Sequence, residues 1–241
     1  KWKLVVDPDL EFPEAYIRNE IIIKNASLKD FLMNLMKNLG RKEFSSASLV
    51  SKKLYGAWRY ITNFNLPSKS KTNAQHHYDV GGEKGEKLYD LFLDKNYRQY
   101  SCAYWKEGTD TLEDAQQNKI DHIIKKLDLR PGQKILDVGC GWGGLAFEIA
   151  KRYSCEVLGI SLSSNQIKYA QNKAKELNLD NQVKFEIMDY RDLTGKFDRI
   201  VSCGAFEHFG RKFYKVFFNK INQVMKDDGK FLLHTIGVVD K

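Results

Sequence analysis

Residues Ile135 to Gly144 read ILDVGCGWGG and hold the most informative chemistry of the chain. An apolar run of Ile135, Leu136 and Val138, carrying Asp137, stops at Gly139-Cys140-Gly141-Trp142-Gly143-Gly144, after which a helical pattern begins. That order predicts a strand, a tight turn and a helix. Gly139 and Gly141 let the backbone approach a bound nucleotide closely and take positive φ. The helix N-terminus beyond them presents unpaired N–H groups and a partial positive charge. A nucleotide-like ligand is therefore expected on this turn.

Gly139, Gly141 and Gly144 also satisfy G-x-G-x-x-G, a dinucleotide pattern that is weak by itself. Such a site wants an acidic residue about 20 residues on to hold the ribose. The next strand, Cys155 to Ile160, ends instead in Ser161-Leu162-Ser163. Asp137, just before the turn, suits a methyltransferase that binds S-adenosylmethionine. A purely structural glycine turn is the blander alternative.

The elements that must position this turn follow from the pattern around it. From Gln133 onward strand and helix alternate, with a strand over 155–160 and a helix from about Ser163 to Leu177. Val183 to Ile187 and Phe197 to Cys203 read as strands, Lys212 to Met225 as a long helix, and Gly229 to Ile236 as a fifth strand. Alternation of this kind predicts an α/β fold, a doubly wound and mainly parallel Rossmann-like sheet with helices on both faces. Ligands bind at the carboxyl ends of such strands. The turns after Val138, Ile160, Ile187, Cys203 and His234 are thus expected to line one cleft. Asp189 and Tyr190 follow the third strand, where a carboxylate can accept an adenine amino proton and an aromatic face can cover the ring. Glu207 and His208 follow the fourth strand, and His234 lies in the fifth.

The chain divides near residue 75, giving a small helical or mixed subdomain over 1–74 and a methyltransferase domain over 75–241. Leu28, Phe31, Leu32, Leu35, Met36 and Leu39 form one apolar helical face, with Ser27 to cap it and Gly40 to end it. A second helix over Ser48 to Phe64 mixes Trp58, Tyr60, Ile61 and Phe64 with Lys52, Lys53 and Arg59. That mixture suits a membrane interface or packing against the main domain. The polar linker Pro67 to Asn73 follows.

With 241 residues the chain can bury one full core and a smaller subdomain. Its 42% hydrophobic and 29% charged content is that of a soluble globular protein. No apolar run approaches the roughly 18 residues of a membrane span, and no signal peptide is visible. The four cysteines, Cys102, Cys140, Cys155 and Cys203, lack metal-ligand spacing, so no metal and reduced thiols in a cytoplasm are expected. The net charge of +8 admits nucleic acid, an anionic membrane surface, an anionic substrate or simply a solvated lysine-rich surface. A nucleic-acid methyltransferase would want a base-flipping pocket with its own catalytic motif. None is visible, and nucleic acid is not an expected partner.

Several motifs carry a family resemblance. Gln99-Tyr-Ser-Cys-Ala-Tyr-Trp105, Leu112-Glu-Asp-Ala-Gln-Gln117 and Asp137-Val-Gly-Cys-Gly-Trp-Gly-Gly144 resemble the signature of cyclopropane-fatty-acid-phospholipid synthases. Gly159 to Gln166, Asp189-Tyr-Arg-Asp192, Phe206-Glu-His-Phe-Gly210 and Leu233-His-Thr-Ile-Gly237 continue it in family order, and His77-Tyr-Asp79 lies upstream.

The resemblance implies attack by the cis double bond of a phospholipid acyl chain on the methyl group of S-adenosylmethionine. A carbocation forms, and loss of a proton from the added methyl closes a three-membered ring. Such chemistry must exclude stray water and hold a base that does not trap the cation. By resemblance that base is a bicarbonate ion cradled by Cys102, Glu207, His234 and the backbone N–H of Ile236. Glu207 would either orient a bicarbonate hydroxyl or be protonated, with His234 donating. A nucleophilic role for Cys102 is the alternative, although no covalent step is needed.

For the cofactor, the resemblance gives Tyr100 and Ser101 to the methionine portion, and Asp137, Gly139 and Gly141 to the turn beneath it. Ser161, Leu162 and Gln166 replace the acidic ribose contact, and Asp189 and Tyr190 receive adenine. Unsaturated phospholipids in a bilayer are the implied partners, with peripheral association at the inner membrane surface. A homodimer is left open. Gly82-Glu-Lys-Gly-Glu-Lys87 lengthens the family's connection at the acyl entrance. The chain stops at Lys241, just after the fifth strand, so a fragment lacking C-terminal strands is expected. The rival functions are a methyl-branching or methylene-forming fatty-acid or mycolic-acid-type methyltransferase, and a non-catalytic lipid-binding module.

Overall fold

The structure is a computed structural model and describes residues 8–39 and 85–237. The chain divides into two compact units, Lys1–Phe64 and Asn65–Lys241. The expected helix over Ser48 to Phe64, the linker Pro67 to Asn73 and the His77-Tyr-Asp79 motif lie outside the described residues.

The first unit contributes α1 (Pro8–Ile17) and α2 (Leu28–Leu39). Ser27 caps α2 as its sequence predicts, its Oγ accepting the Asp30 N–H at 3.1 Å. Phe31 of the apolar stripe stacks on Phe12 with ring centroids 5.4 Å apart, whereas Leu28, Leu32 and Met36 are exposed. Pro13 and the lack of an apolar stripe hide α1 from sequence patterning.

The second unit runs α3 (Gly85–Asp90), α4 (Leu112–Leu127), β1 (Lys134–Val138), α5 (Gly144–Tyr153), β2 (Glu156–Ser161) and α6 (Ser164–Glu176). It continues with β3 (Val183–Ile187), β4 (Phe197–Cys203), α7 (Tyr214–Val224) and β5 (Met225–His234). The strands form one parallel sheet in the order β3-β2-β1-β4-β5. The strand order reverses at β1, where the chain leaves toward β2 on one side and β4 lies on the other. Open parallel sheets bind ligands at that switch point, outside the carboxyl ends of the strands.

Apolar residues cover both faces of the sheet, as a parallel sheet requires. On one face Ile120, Ile123, Ile124 and Leu127 of α4, Leu145 and Ile149 of α5 and Ile167 of α6 meet Ile135, Val157 and Val201. On the other, Phe217, Ile221 and Val224 of α7 meet Leu136, Val138, Ile160 and Ile200. Alternation along β1 therefore points Asp137 to the face that carries α4.

The helix ends are held by side chains. Thr111 Oγ1 accepts the Asp114 N–H at 3.1 Å at the start of α4. At its end the Arg199 guanidinium donates to the carbonyls of Leu127 at 2.6 Å and Asp128 at 3.3 Å. Ser163 Oγ accepts the Gln166 N–H at 3.3 Å to start α6.

Two expected boundaries are corrected. The helix expected from Lys212 opens with a 3-10 turn over Arg211–Phe213, and α7 proper begins at Tyr214. The strand expected from Gly229 begins at Met225. Met225 pairs with Phe197 and Lys230 with Arg199, so the residues between them bulge out of register.

Candidate functional site

The glycine turn is tied to the second strand. The N–H groups of Gly139 and Cys140 both donate to the Ile160 carbonyl, at 2.9 and 3.1 Å. Gly139, Gly141 and Gly143 all have positive φ, at 79°, 55° and 88°. Their surroundings differ. A Cβ on Gly139 would collide with the Ala205 side chain, and one on Gly143 with the Phe185 ring. A Cβ on Gly141 would meet nothing within 4 Å, so the backbone there borders open space. Asp137 is buried beneath the turn, and loss of hydration pushes its carboxyl up to about 7, with the charge of Lys119 pulling the other way.

On α4, Lys119 lies outside the motifs read from the sequence, and Gln116 lies within Leu112–Gln117 with no role assigned to it. Both are buried, at 3% exposure each. Gln116 Nε2 donates to the carbonyls of Ser101 at 3.0 Å and Gln99 at 3.3 Å. Lys119 Nζ donates to Gln99 Oε1 at 2.8 Å and Ser101 Oγ at 2.7 Å. The Gln99–Ser101 strip is thus pinned through backbone and side chains from one helix face. Lys119 lies one helical turn from Ala115, Gln116 and Ile123. That periodicity, with Thr111 and Asp114 as a cap, marks the helix in the sequence. The strip also carries Tyr100, whose ring meets Tyr89 at 5.7 Å and Phe92 at 5.8 Å. Beside it Arg98 lies against the rings of Trp142 and Tyr169, 4.4 and 4.5 Å from their centroids.

At the end of β2, Ser161 Oγ donates to Gln166 Oε1 at 3.0 Å and accepts the Ser163 N–H at 3.2 Å. Leu162 sits between them, half-buried. At the end of β3, Asp189 is committed to Arg191, accepting its Nε at 2.8 Å, its Nη2 at 2.5 Å and its backbone N–H at 3.0 Å. The Tyr190 ring is 7% exposed and packs on Phe209 and Phe217, with centroids 4.7 and 5.2 Å away. An open aromatic face for adenine was expected at Tyr190; most of that ring is core.

The ends of β4 and β5 come together directly. Cys203 pairs with His234 across the ladder, and its Sγ is 3.4 Å from His234 Nδ1. The Cys203 S–H also donates to Ser101 Oγ over 3.6 Å. Glu207 Oε1 accepts the Ile236 N–H at 2.6 Å. Burial alone would raise the Glu207 carboxyl, but this bond and other donors outweigh it and hold Glu207 below the ordinary carboxylate range. Burial, reinforced by Lys119, pushes His234 down, so the ring is neutral near pH 7. Cys102 follows Ser101 in the chain and is an exposed free thiol.

Ser101, Cys203 and His234 therefore form one continuous network with Lys119, and Glu207 joins Ile236 beside it. Asp189, Tyr190, Ser161 and Gln166 lie at the neighbouring strand ends with partners of their own. Among the described residues no cluster of His, Cys, Asp and Glu could hold a metal ion. No helix among them is long and apolar enough to cross a membrane.

The chain is 46% identical over 176 residues to a cyclopropane-fatty-acyl-phospholipid synthase of Escherichia coli (strain K12), covering 72% of this chain and 44% of that protein. It is 41% identical over 163 residues to the S-adenosylmethionine-dependent methyltransferase UmaA of Mycobacterium tuberculosis, covering 68% of this chain and 55% of the relative. The chain thus spans about half the length of these curated relatives. Among solved structures, the mycolic acid cyclopropane synthase CmaA1 complexed with SAH and CTAB superposes with a TM-score of 0.63 and 37% identity, over 68% of this chain and 55% of that one. Residues 66–241 match the profile described as mycolic acid cyclopropane synthetase, and the chain belongs to that family.

Proposed function

We propose that this protein transfers a methylene group from S-adenosylmethionine to the cis double bond of an unsaturated phospholipid acyl chain, forming a cyclopropane ring. The observation that carries the reading is the meeting of two groups at the carboxyl ends of β1, β4 and β5. One is the open turn at Gly141 with the pinned Ser101; the other is the pair Glu207–Ile236 beside His234.

The residues present fit the methyl donor. Space is kept open at Gly141, where a Cβ would intrude. Bound there, S-adenosylmethionine supplies an electrophilic methyl group. Tyr100 and Ser101 would hold its methionine portion, with the Gly139 and Gly141 backbone and Asp137 alongside. Ser161, Leu162 and Gln166 would face the ribose. Asp189 would accept from adenine with lone pairs that Arg191 leaves free, and Tyr190 would contribute an edge.

Proton removal falls to the second group. Cys102, Glu207, His234 and the Ile236 N–H would cradle a bicarbonate ion. Glu207 is ionised near neutral pH, so it accepts from the hydroxyl of such an ion and does not donate to it. Entry of the anion would exchange the Glu207–Ile236 bond for one bond from each group to the ion. The net charge of +8 supports peripheral attraction to an anionic bilayer, about 1 kcal/mol per well-placed basic residue. Residues 1–74 are the proposed lipid-associated subdomain, the inner membrane surface the proposed location, and a homodimer remains compatible with it.

Incubating the full gene product with methyl-labelled S-adenosylmethionine and vesicles of cis-unsaturated phospholipid tests the reading. Label in the extracted lipid is the expected result. Label absent from the lipid, with the donor shown to bind, would contradict it. One second reading is a methyl-branching product from the same site, since UmaA is named as an S-adenosylmethionine-dependent methyltransferase without reference to a ring.

A further inference from the structure

We infer that Lys119 is a positioning residue that fixes the Ser101 hydroxyl as a hydrogen-bond donor aimed at the carboxylate end of the cofactor's methionine moiety. The inference rests on the cofactor reading above and extends it to a residue that never needs to touch the ligand.

The argument is one of donors and acceptors. An ammonium group has three N–H donors and no lone pair. At 2.7 Å from Lys119 Nζ, Ser101 Oγ can only accept. The Cys203 S–H supplies a second, weaker donor to the same oxygen over 3.6 Å. With its oxygen occupied in this way, the hydroxyl has its one proton left to give. A donor held in that state matches an anion and mismatches a cation, so it selects the carboxylate of an amino-acid end over its ammonium.

Lys119 does the same for the neighbouring side chain. It donates to Gln99 Oε1 at 2.8 Å, which fixes the amide orientation and leaves its nitrogen beside Gly144 at the start of α5. Gln116, one turn back on α4, clamps the carbonyls of Gln99 and Ser101. Backbone and side chains of the strip are thus set before a ligand arrives, and such preorganisation raises affinity by cutting ordering costs. No carboxylate forms an ion pair with Lys119 among the described residues; Asp137 and Asp94 act on it only through their fields. A buried ammonium without a direct counter-ion is costly to keep. Apolar side chains could fill the same space on α4 at lower cost, which is an argument for a role beyond packing.

The test compares two ligands that differ only at the methionine end. S-adenosylhomocysteine carries the amino-acid group; 5′-methylthioadenosine keeps the adenine, ribose and thioether but lacks it. Calorimetric titration of the full gene product with each should show Lys119→Met losing roughly tenfold in affinity for S-adenosylhomocysteine, the worth of one hydrogen bond to a charged group. Affinity for 5′-methylthioadenosine should stay within about twofold of the parent. Ser101→Ala, which disturbs no buried charge, should show the same selectivity, and the double variant should lose little more than either single one. Equal weakening of both ligands by Lys119→Met, or unchanged S-adenosylhomocysteine binding in Ser101→Ala, would overturn the proposal. The Ser101→Ala arm stands even where Lys119→Met does not fold. A parent protein that binds neither ligand would overturn the cofactor reading itself, and this inference with it.

Discussion

Glu207 Oε1 and the backbone N–H of Ile236 are joined at 2.6 Å, a bond that ties the turn after β4 to the segment after β5. The two groups are 29 residues apart in the chain and belong to different strand ends. Their pairing keeps Glu207 ionised and holds in place a donor that the proposed proton-removal step requires. A short bond from a backbone amide to a carboxylate is charge-assisted, and stronger than one between neutral groups. The bond thereby orders both groups, and the proposed step would exchange one acceptor for another.

Glu207→Gln removes the charge and keeps the shape. Affinity for S-adenosylhomocysteine should change by no more than about twofold, while turnover should fall by roughly 10²–10⁴, the usual worth of a group in proton transfer. Titration calorimetry and initial rates on the same preparation separate the two effects. Undiminished turnover in the variant removes Glu207 from the mechanism.

Asp137 makes stability depend on pH. Its folded value of about 7 lies above the ordinary carboxylate value, so the folded chain keeps a proton that the unfolded chain releases. Its contribution to stability is complete below about pH 4 and is lost as pH rises through about 7, a change of order 3–4 kcal/mol. Asp137→Asn cannot ionise and should flatten that slope, leaving the variant more stable than the parent at pH 8 and similar at pH 4. Urea midpoints across that range are the readout. A parent curve flat in pH, or an equally steep curve in the variant, contradicts the burial argument.

Gly139 and Gly141 should separate stability from binding. Both have positive φ, which costs a residue with a Cβ roughly 1–2 kcal/mol. At Gly139 the added carbon also strikes Ala205, adding an overpacking cost of about 1–3 kcal/mol. Gly139→Ala should thus lower the melting temperature distinctly more than Gly141→Ala. Gly141→Val projects into open space and should weaken cofactor binding most. Equal melting temperatures for the two alanine variants would contradict the Ala205 clash, and full S-adenosylmethionine affinity in Gly141→Val would place the ligand elsewhere.

Phe217 links the core to the site. It is fully buried on α7 and packs on Phe206 and Phe209, which flank Glu207, and on Tyr190. Phe217→Ala should cost about 3–5 kcal/mol. Denaturant unfolding measures that loss, and a cost below about 1 kcal/mol would mean that the cavity collapses freely.

Much of this arrangement is legible in the sequence, for identifiable reasons. The limits of β3 and β4 coincide with the patterning, and β1 begins one residue before its apolar run, at Lys134. The glycine turn and the Ser163 cap announce themselves by residue type. β5 is less clear because Lys226-Asp-Asp-Gly229 is polar, and only the ladder with β4 shows that the strand begins before it. Lys119 escapes notice, and Gln116 has no role assigned within its motif, because polar side chains on a helix are read as solvent-facing. Their partners, Gln99 and Ser101, lie 15 to 20 residues away in an irregular strip. Asp189 and Tyr190 were placed correctly at a strand end, but their neighbours could not be read. Arg191, two residues on, takes the carboxylate, and Phe209 and Phe217 take the ring.

The most direct test of the central claim is the chemical identity of the lipid product. Vesicles of cis-unsaturated phospholipid, treated with S-adenosylmethionine and the full gene product, would be extracted and weighed by mass spectrometry before and after mild hydrogenation. Cyclopropanation predicts one added CH₂ per modified acyl chain and no reducible double bond in that chain. An added CH₂ with the alkene retained would contradict ring formation and establish the methyl-branching or methylene-forming alternative. Unmodified lipid from a protein that binds the cofactor would contradict the phospholipid assignment altogether.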